Sequence, residues 1–172
     1  MKKIISLGLI AISISLFTAC KKDSDNGGGG SNYYVKANVG GTDKNYTSNP
    51  MAVELNTGGV YSIAVEAGKE SASPEGLGFQ ITQNNTAIAA GTYNENSSDY
   101  TIIASFNPGS SDVSAIFGAG LNPFSSHPLQ IVISNISDKE VSGTFSGEFY
   151  DNSGTGTDSL LITNGEFKVP IQ

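Results

Sequence analysis

From Tyr33 to the last residue, short runs rich in Val, Ile, Tyr, Phe and Thr alternate with clusters of Gly, Asn, Asp and Ser. The runs have the composition of strands and the clusters that of turns. No apolar period of 3.6 residues persists for three helical turns, so the pattern favours strands. It predicts strands at Tyr33–Val39, Lys44–Ser48, Met51–Asn56, Val60–Glu66, Leu77–Gln83, Ile88–Tyr93, Tyr100–Phe106, Asp112–Phe117, Leu129–Ser134, Val141–Tyr150, Ser159–Thr163 and Glu166–Ile171.

Residues 32–172 are enough for one domain with its own core. Strands dominate this region and no tandem repeat is visible. We therefore predict a single-domain, all-β fold of about ten to twelve short antiparallel strands. A β-sandwich, such as an immunoglobulin-like one, and a closed barrel both satisfy the pattern.

The strands on either side of Gly58-Gly59 can be paired by their alternation. A three-residue loop from Thr57 to Gly59 would set Leu55 opposite Tyr61 and Val53 opposite Ile63, with the large apolar side chains on one face. A two-residue loop would mix the faces. The pattern therefore predicts the three-residue loop.

The C-terminal strands alternate cleanly but change phase once. Apolar side chains stand at even positions before Asn164-Gly165 and at odd positions after it, which requires one extra residue there. We predict a β-bulge at Asn164-Gly165. The bulge places large residues over glycines. The predicted pairs are Phe149 with Leu160, Gly147 with Ile162, Gly143 with Phe167, and Val141 with Val169.

The first residues have the features of a bacterial signal peptide. Two lysines precede an uncharged, mostly apolar run from Ile4 to Phe17, which is too short to cross a bilayer as a helix. Thr18-Ala19-Cys20 resembles the lipobox, although Phe17 stands where Leu is usual. We expect residues 1–19 to be removed and Cys20 to carry the acyl chains.

Residues 20–31 form a linker with four consecutive glycines. Gly/Ser-rich chains behave as random coils, so this tether spans roughly 20 Å. A cysteine followed closely by Lys and Asp resembles the export tags of Bacteroidetes surface lipoproteins. The resemblance implies the outer membrane, with display at the cell surface as the favoured orientation over the periplasmic face.

The C-terminal region resembles small Bacteroidetes lipoproteins of unknown function, whose ending has the form V-x-G-x-F … I-T-x-G-x-F. The resemblance implies an all-β, lipid-anchored module and brings no catalytic residue with it. The residues that carry it are Val141-Ser142-Gly143-Thr144-Phe145 and Ile162-Thr163-Asn164-Gly165-Glu166-Phe167, with Val39-Gly40-Gly41-Thr42 and Ala90-Gly91-Thr92-Tyr93 as further similarities.

The charged residues and the single cysteine exclude one class of partner and one kind of cross-link. The net charge is −7, and becomes −9 once Lys2 and Lys3 are removed with the signal peptide. The chain contains no Arg, so the bidentate contacts typical of nucleic-acid binding are missing and nucleic acid is not expected as a partner. A single cysteine cannot form an intramolecular disulfide.

Candidate chemistry is sparse. His127 is the only histidine and stands in a proline-bracketed loop, so we interpret it as an ordinary loop residue and expect no metal site or cofactor. The segment Asp151–Asp158 resembles a calcium loop, but its twelfth position is Ile162 instead of Glu. Four carboxylates could supply a glycosidase pair, although we expect most of them to be solvated. They are Glu54, Glu66, Glu70 and Glu75.

The sequence contains only weak indications of carbohydrate binding and of glycosylation. The chain has no Trp for a sugar platform, and its seven tyrosines are dispersed among strands. Asp158-Ser159-Leu160 resembles the short sites that Bacteroidetes glycosylate on oxygen, so Ser159 is a candidate for glycosylation.

These observations predict a lipid-anchored envelope protein that acts without catalysis, as a binding or structural module for an unknown protein or glycan. Two alternatives stay open. A barrel could carry a small apolar ligand in an unfilled interior. A pair of carboxylates could instead make the domain a glycoside hydrolase.

Overall fold

The structure is a computed structural model that describes residues 33–70, 73–120, 125–151 and 158–172. In these ranges the chain forms eleven strands and one short 3-10 turn, Val113–Ala115. The strands are β1 Tyr34–Val39, β2 Thr42–Tyr46, β3 Ser48–Thr57, β4 Val60–Gly68, β5 Gly76–Asn84, β6 Gly91–Asn94, β7 Tyr100–Asn107, β8 Phe117–Ala119, β9 Gln130–Ile136, β10 Glu140–Asp151 and β11 Ser159–Pro170.

The strands form one antiparallel sheet that curls into a nearly closed barrel. Its main path runs β2-β1-β11-β10-β8-β7-β5-β4-β3. A parallel bridge between Ala52 of β3 and Ile171 brings the far end of this path back to the end of β11. The all-β prediction is confirmed. Of the two architectures that the sequence left open, sandwich and barrel, the structure has the barrel-like one.

The sheet divides along one edge of β10. The C-terminal end of β10 pairs with β8, whereas Val141–Ser146 pairs with β9. β9 pairs in turn with β6, and β8 with β7. Residues 147–149 of β10 therefore lie where its neighbouring strand changes, and we call this place the fork.

The core lies inside the barrel, and its side chains alternate with outward-facing ones along the strands, with a change of phase at the bulge of β11. The ring of Phe79 on β5 packs edge-on against Phe167, with the centroids 4.9 Å apart, and in a tilted arrangement against Phe145, at 5.8 Å. Phe149, Ile162 and Val169 are fully buried. Each such side chain contributes about 1.5–3 kcal/mol by leaving water, so this cluster holds β5, β10 and β11 together.

The predicted register of the C-terminal hairpin is confirmed in all four pairs. The register shifts between Phe145 and Gly147 of β10, and Asn164 of β11 adopts a left-handed φ of 51°. A Cβ at Gly143 would lie 2.9 Å from Phe167 Cζ. The aromatic ring therefore occupies the space that a side chain at Gly143 would need.

The predicted register of the β3–β4 hairpin is wrong. The structure pairs Thr57 with Val60 and Leu55 with Ser62, so the loop is the two-residue Gly58-Gly59. Both glycines have left-handed φ values, 61° and 84°. Two consecutive left-handed residues are what a type I′ hairpin turn requires, and this turn determined the register against the apolar pattern.

Three strand predictions need correction. Asp112–Phe117 was predicted as a strand, but the side chain of Asp112 accepts a hydrogen bond from Ser114 N and starts the 3-10 turn. Only the last part of the strand predicted at Ile88–Tyr93 is a strand, β6. The two strands predicted at the C-terminus are one strand, β11, because the bulge bends the ladder without ending it.

The signal peptide, Cys20 and the linker to residue 31 lie outside the described residues, as do residues 152–157 of the calcium-like segment. The residues from Ser31 to Gln172 form one compact unit.

Candidate functional site

A cluster of polar side chains surrounds Glu148 at the fork, on the outer face of the barrel. Glu148 and Tyr150 alternate with the buried Phe149 on β10, so both point away from the core. We call the group formed by Ser125, Ser126, His127, Glu148, Tyr150 and Ser159 the fork cluster.

Glu148 accepts hydrogen bonds from four hydroxyl groups. Its Oε2 atom accepts one from Tyr150 at 2.7 Å, one from Ser126 at 3.1 Å and one from Ser125 at 3.3 Å. Its Oε1 atom accepts one from Ser159 at 2.8 Å. None of the four ion pairs among the described residues includes Glu148, so hydroxyls alone provide its polar side-chain contacts there.

These hydrogen bonds determine the ionisation of Glu148. The bonds from Tyr150 and Ser159 are the largest causes, and together with those from Ser126 and Ser125 they lower the pKa of Glu148 from 4.5 to about 2 despite partial burial. The carboxylate is therefore charged at neutral pH and has no proton to donate. A general acid needs the opposite, a carboxyl whose pKa is raised.

The pKa of Tyr150 shifts in the opposite direction, upward. A hydrogen bond with Ser125 lowers the pKa of Tyr150, but the bond to Glu148, burial and the charges of Glu148 and Glu95 outweigh it and raise that pKa. The phenol therefore keeps its proton and remains a donor to Glu148.

His127 joins the cluster through its backbone and its neighbour. Its carbonyl oxygen accepts a hydrogen bond from Glu148 N at 2.8 Å. Its Nδ1 atom lies 3.0 Å from Ser126 Oγ, which also contacts Glu148. In a catalytic triad the histidine stands between the serine and the carboxylate. Here the serine stands between them, so Glu148 does not orient the imidazole.

Glu95 lies beside the fork cluster and is almost fully buried. Its Oε2 atom accepts a hydrogen bond from Leu129 N at 2.7 Å, and its backbone N–H donates to Leu129 O. The same glutamate lines an open depression of about 270 Å³ together with Tyr100 and Gly120. Its contacts hold the loop before β9 beside the end of β6.

A second depression, of about 380 Å³, lies over the bulge of β11. Its lining is mostly polar and consists of Gln130, Val132, Thr144, Phe145, Ser146, Asn164, Gly165 and Glu166. Both depressions are open, and neither has a mainly apolar lining, whereas an apolar ligand needs an enclosed apolar cavity.

The four glutamates proposed as the source of a glycosidase pair differ in their surroundings. Glu54, Glu66 and Glu70 are exposed, as expected, but Glu75 is buried. Glu75 contacts Lys44 Nζ at 2.9 Å and Lys69 Nζ at 3.2 Å.

Burial alone would raise the pKa of Glu75, but the hydrogen bonds and charges of Lys44 and Lys69 lower it. Burial and the charge of Glu75 also raise the pKa of Tyr46, whose hydroxyl is 3.5 Å away. These contacts fasten the segment before β5 to β2, which is a structural role.

Two residues that are far apart in the sequence and were predicted to have unrelated roles meet at the fork. His127 and Ser159 both reach Glu148, whereas Cys20 lies outside the described residues. Glu148, Tyr150 and Glu95 were not predicted as site residues from the sequence. The predicted pairing of Phe149 with Leu160 already implied that Tyr150 faces Ser159, and this would have pointed to the neighbouring Glu148. Nothing local links residues 125–127 to β10.

Within the described ranges, no three His, Cys, Asp or Glu side chains are close enough to hold a metal ion. No helix in these ranges is both long and apolar enough to span a membrane.

The chain matches no protein-family model, no curated protein and no solved structure at a significant level.

Proposed function

We propose that the protein is a lipoprotein of the bacterial outer membrane, anchored through acyl chains on Cys20 and displayed at the cell surface. Its β domain binds a protein or glycan partner without catalysing a reaction. The lipobox-like Thr18-Ala19-Cys20 and the linker that follows it support the anchor.

The fork cluster is the observation that supports binding best. The four hydroxyl groups around Glu148 donate hydrogen bonds to its carboxylate and hold it in the charged form. A hydroxyl oxygen that donates its proton can still accept a hydrogen bond. A negatively charged, acceptor-rich surface suits a ligand rich in hydrogen-bond donors. The negative net charge of the chain also attracts cationic groups, which are hydrogen-bond donors.

The same geometry supports the non-enzymatic part of the proposal. The low pKa of Glu148 makes it a weak base and removes it as an acid. The order His127–Ser126–Glu148 does not activate the serine as a triad would. The open depressions and the packed aromatic core favour surface binding over transport of an apolar ligand.

The anchor is tested by labelling with a radioactive fatty acid in a bacterial host. We expect the label on the wild-type protein and its loss in Cys20→Ser, because only the thiol can take the diacylglyceryl group. Label that persists on the Cys20→Ser variant would refute the assignment.

The binding site is tested with the mature protein on an array of neutral and amino-sugar glycans and basic peptides. Glu148→Gln keeps the shape but removes the charge, so we expect a large loss of binding to the ligands retained by the wild type. Glu66→Gln is the matched control, because Glu66 is an exposed carboxylate on β4. Equal binding by both variants would exclude the fork cluster.

Catalysis is tested on aryl glycosides and polysaccharides with the wild type, Glu148→Gln and His127→Ala. We expect no turnover above background. Turnover that disappears in one variant would make that residue catalytic and overturn the non-enzymatic proposal.

A further inference from the structure

The β3–β4 hairpin presents large apolar side chains to solvent. Five large hydrophobic residues are exposed within the described ranges, and three of them lie on this hairpin. Leu55 is 57% exposed, Val60 42% and Val53 36%. Isolated apolar residues on a surface are ordinary, but a contiguous group of them marks a contact site.

The register of the hairpin makes these three side chains neighbours. Val53 and Leu55 stand on one face of β3 because they are two residues apart. Val60 is opposite Thr57, which belongs to that same face. Glu54 is the only charged residue between Met51 and Val60, and it stands on the opposite face. We call Val53, Leu55 and Val60 the apolar tip.

The apolar tip extends from the place where the chain enters the domain. Ala52 is bridged in parallel to Ile171 and accepts a hydrogen bond from Gln172 N at 3.0 Å. β3 runs in the same direction as β11, so residues 53–57 continue past the end of β11. β1 runs opposite to β11, with Tyr34 paired to Lys168. The start of β1 therefore lies at the same end of the barrel as the apolar tip.

We propose that the apolar tip contacts the lipid surface to which Cys20 is anchored, and so orients the domain on the membrane. This inference rests on the proposed acylation of Cys20. The five residues of β3 beyond Ala52 extend about 17 Å. The twelve residues between Cys20 and Tyr33 span roughly 20 Å as a random coil. The two lengths agree, so the tether permits the contact.

The anchor and the apolar tip have different tasks. Three partly exposed side chains bury too little apolar area to hold a protein on a bilayer, whereas acyl chains hold it firmly. Once the domain is tethered, the local concentration of lipid is high and a weak contact suffices. The fork cluster lies beside the start of β11, at the other end of that strand. The tip therefore selects an orientation in which the fork cluster is free for partners.

A second copy of the chain is the other candidate occupant. In the described part of the chain, no strand pairs with the outer edge of β3 between Val53 and Thr57, and such edges can pair with each other. We favour lipid because the apolar side chains stand on the face of the hairpin, and edge pairing would leave that face exposed.

The absence of Trp from the chain allows a single-site probe. We would introduce Thr57→Trp beside the apolar tip and, as a control, Ser114→Trp on the exposed 3-10 turn. The acylated mature proteins are placed in phosphatidylcholine vesicles with brominated acyl chains, which quench Trp only at close range. We expect several-fold stronger quenching for Thr57→Trp than for Ser114→Trp.

Two further variants distinguish lipid contact made by the apolar tip from contact made by the added Trp. Changing Val53, Leu55 and Val60 to Ser in the Thr57→Trp protein is expected to reduce quenching to the level of the Ser114→Trp control. Val113 is even more exposed, at 73%, but lies outside the tip. Val113→Ser in the same Thr57→Trp protein is therefore expected to leave the quenching unchanged. Strong quenching that survives the triple change would show that the added Trp, and not the apolar tip, makes the contact.

The failure of the anchor and that of the tip are distinguishable. Fatty-acid labelling and flotation with vesicles report the anchor alone. If the protein is not acylated, the Cys20 thiol can be coupled to a maleimide lipid, and the quenching experiment is repeated on that tethered protein.

Absence of quenching in a protein that floats overturns the proposal. Sedimentation as a dimer that Leu55→Ser dissociates, with Trp emission unaffected by brominated lipid, would assign the tip to a second copy instead.

Discussion

The two long hairpins of this barrel reach their registers by different physical means. In β10–β11, inward-facing large side chains lie over glycines inside a packed core, and every predicted pair is present. In β3–β4, part of the hairpin extends beyond the bridge at Ala52, and its apolar residues are exposed there. The turn determined its register, and the prediction from apolar pairing was wrong.

The difference shows when hydrophobic alternation is a reliable guide to register. A one-residue slip in β10–β11 would expose Phe167 and Val169, so burial selects one pairing. A slip in β3–β4 costs less, because both faces of its tip contact water. The conformational demand of Gly58-Gly59 then decides between the two pairings.

The largest expected effect comes from deleting Asn164, which removes the bulge. Either Phe167 and Val169 or Leu160 and Ile162 must then turn outward. Loss of two buried side chains predicts a decrease in the free energy of unfolding of roughly 3–6 kcal/mol. Urea unfolding followed by circular dichroism measures it, and an unchanged midpoint would contradict the importance of the bulge.

A smaller effect is expected from Gly143→Ala. The added Cβ would overlap the carbonyl oxygen of Val132 and press on the ring of Phe167. Overpacking of this kind predicts a loss of about 1–3 kcal/mol. Gly91→Ala is the control, since a Cβ there meets no atom within 4 Å. Equal thermal melting of the two variants would argue against the packing of aromatic rings over glycines.

In the other hairpin, Gly58→Ala tests the turn. A left-handed φ is unfavourable for Ala, so we expect a loss of about 1 kcal/mol. Gly58→Asn should retain most of the stability, because Asn tolerates this conformation. If both variants melt like the wild type, then the turn does not determine the register.

The smallest effect on stability is expected from Glu148, on the outer face of β10. This carboxylate is partly exposed, so water weakens the contribution of its hydrogen bonds. Its pKa in the folded protein, about 2, lies below the ordinary 4.5, so its hydrogen bonds stabilise the fold fully above pH 4.5. That stability is lost as the pH falls towards 2.

We therefore expect thermal melting of the wild type to fall more steeply over this range than that of Glu148→Gln. The Glu66→Gln variant serves as the control. Parallel pH curves for wild type and Glu148→Gln would show that the hydroxyls do not stabilise the charged form.

The candidate site was only partly predictable. The register of β10–β11 places Ser159 beside Tyr150, and the alternation around Phe149 turns Glu148 outward. However, Ser125 and Ser126 reach Glu148 across more than twenty residues of sequence, through a loop whose path depends on Glu95 and Leu129. No local pattern specifies such a contact.

The sequence by itself determined the all-β class, the positions of most strands and the bulge at Asn164-Gly165. It could do so because alternation, turn residues and phase changes are properties of neighbouring residues. The tertiary structure decided the nearly closed barrel, the fork in β10 and the exposure of the β3–β4 tip. These depend on which distant strands pair and where the sheet closes, and that choice is made by the packing of the whole core.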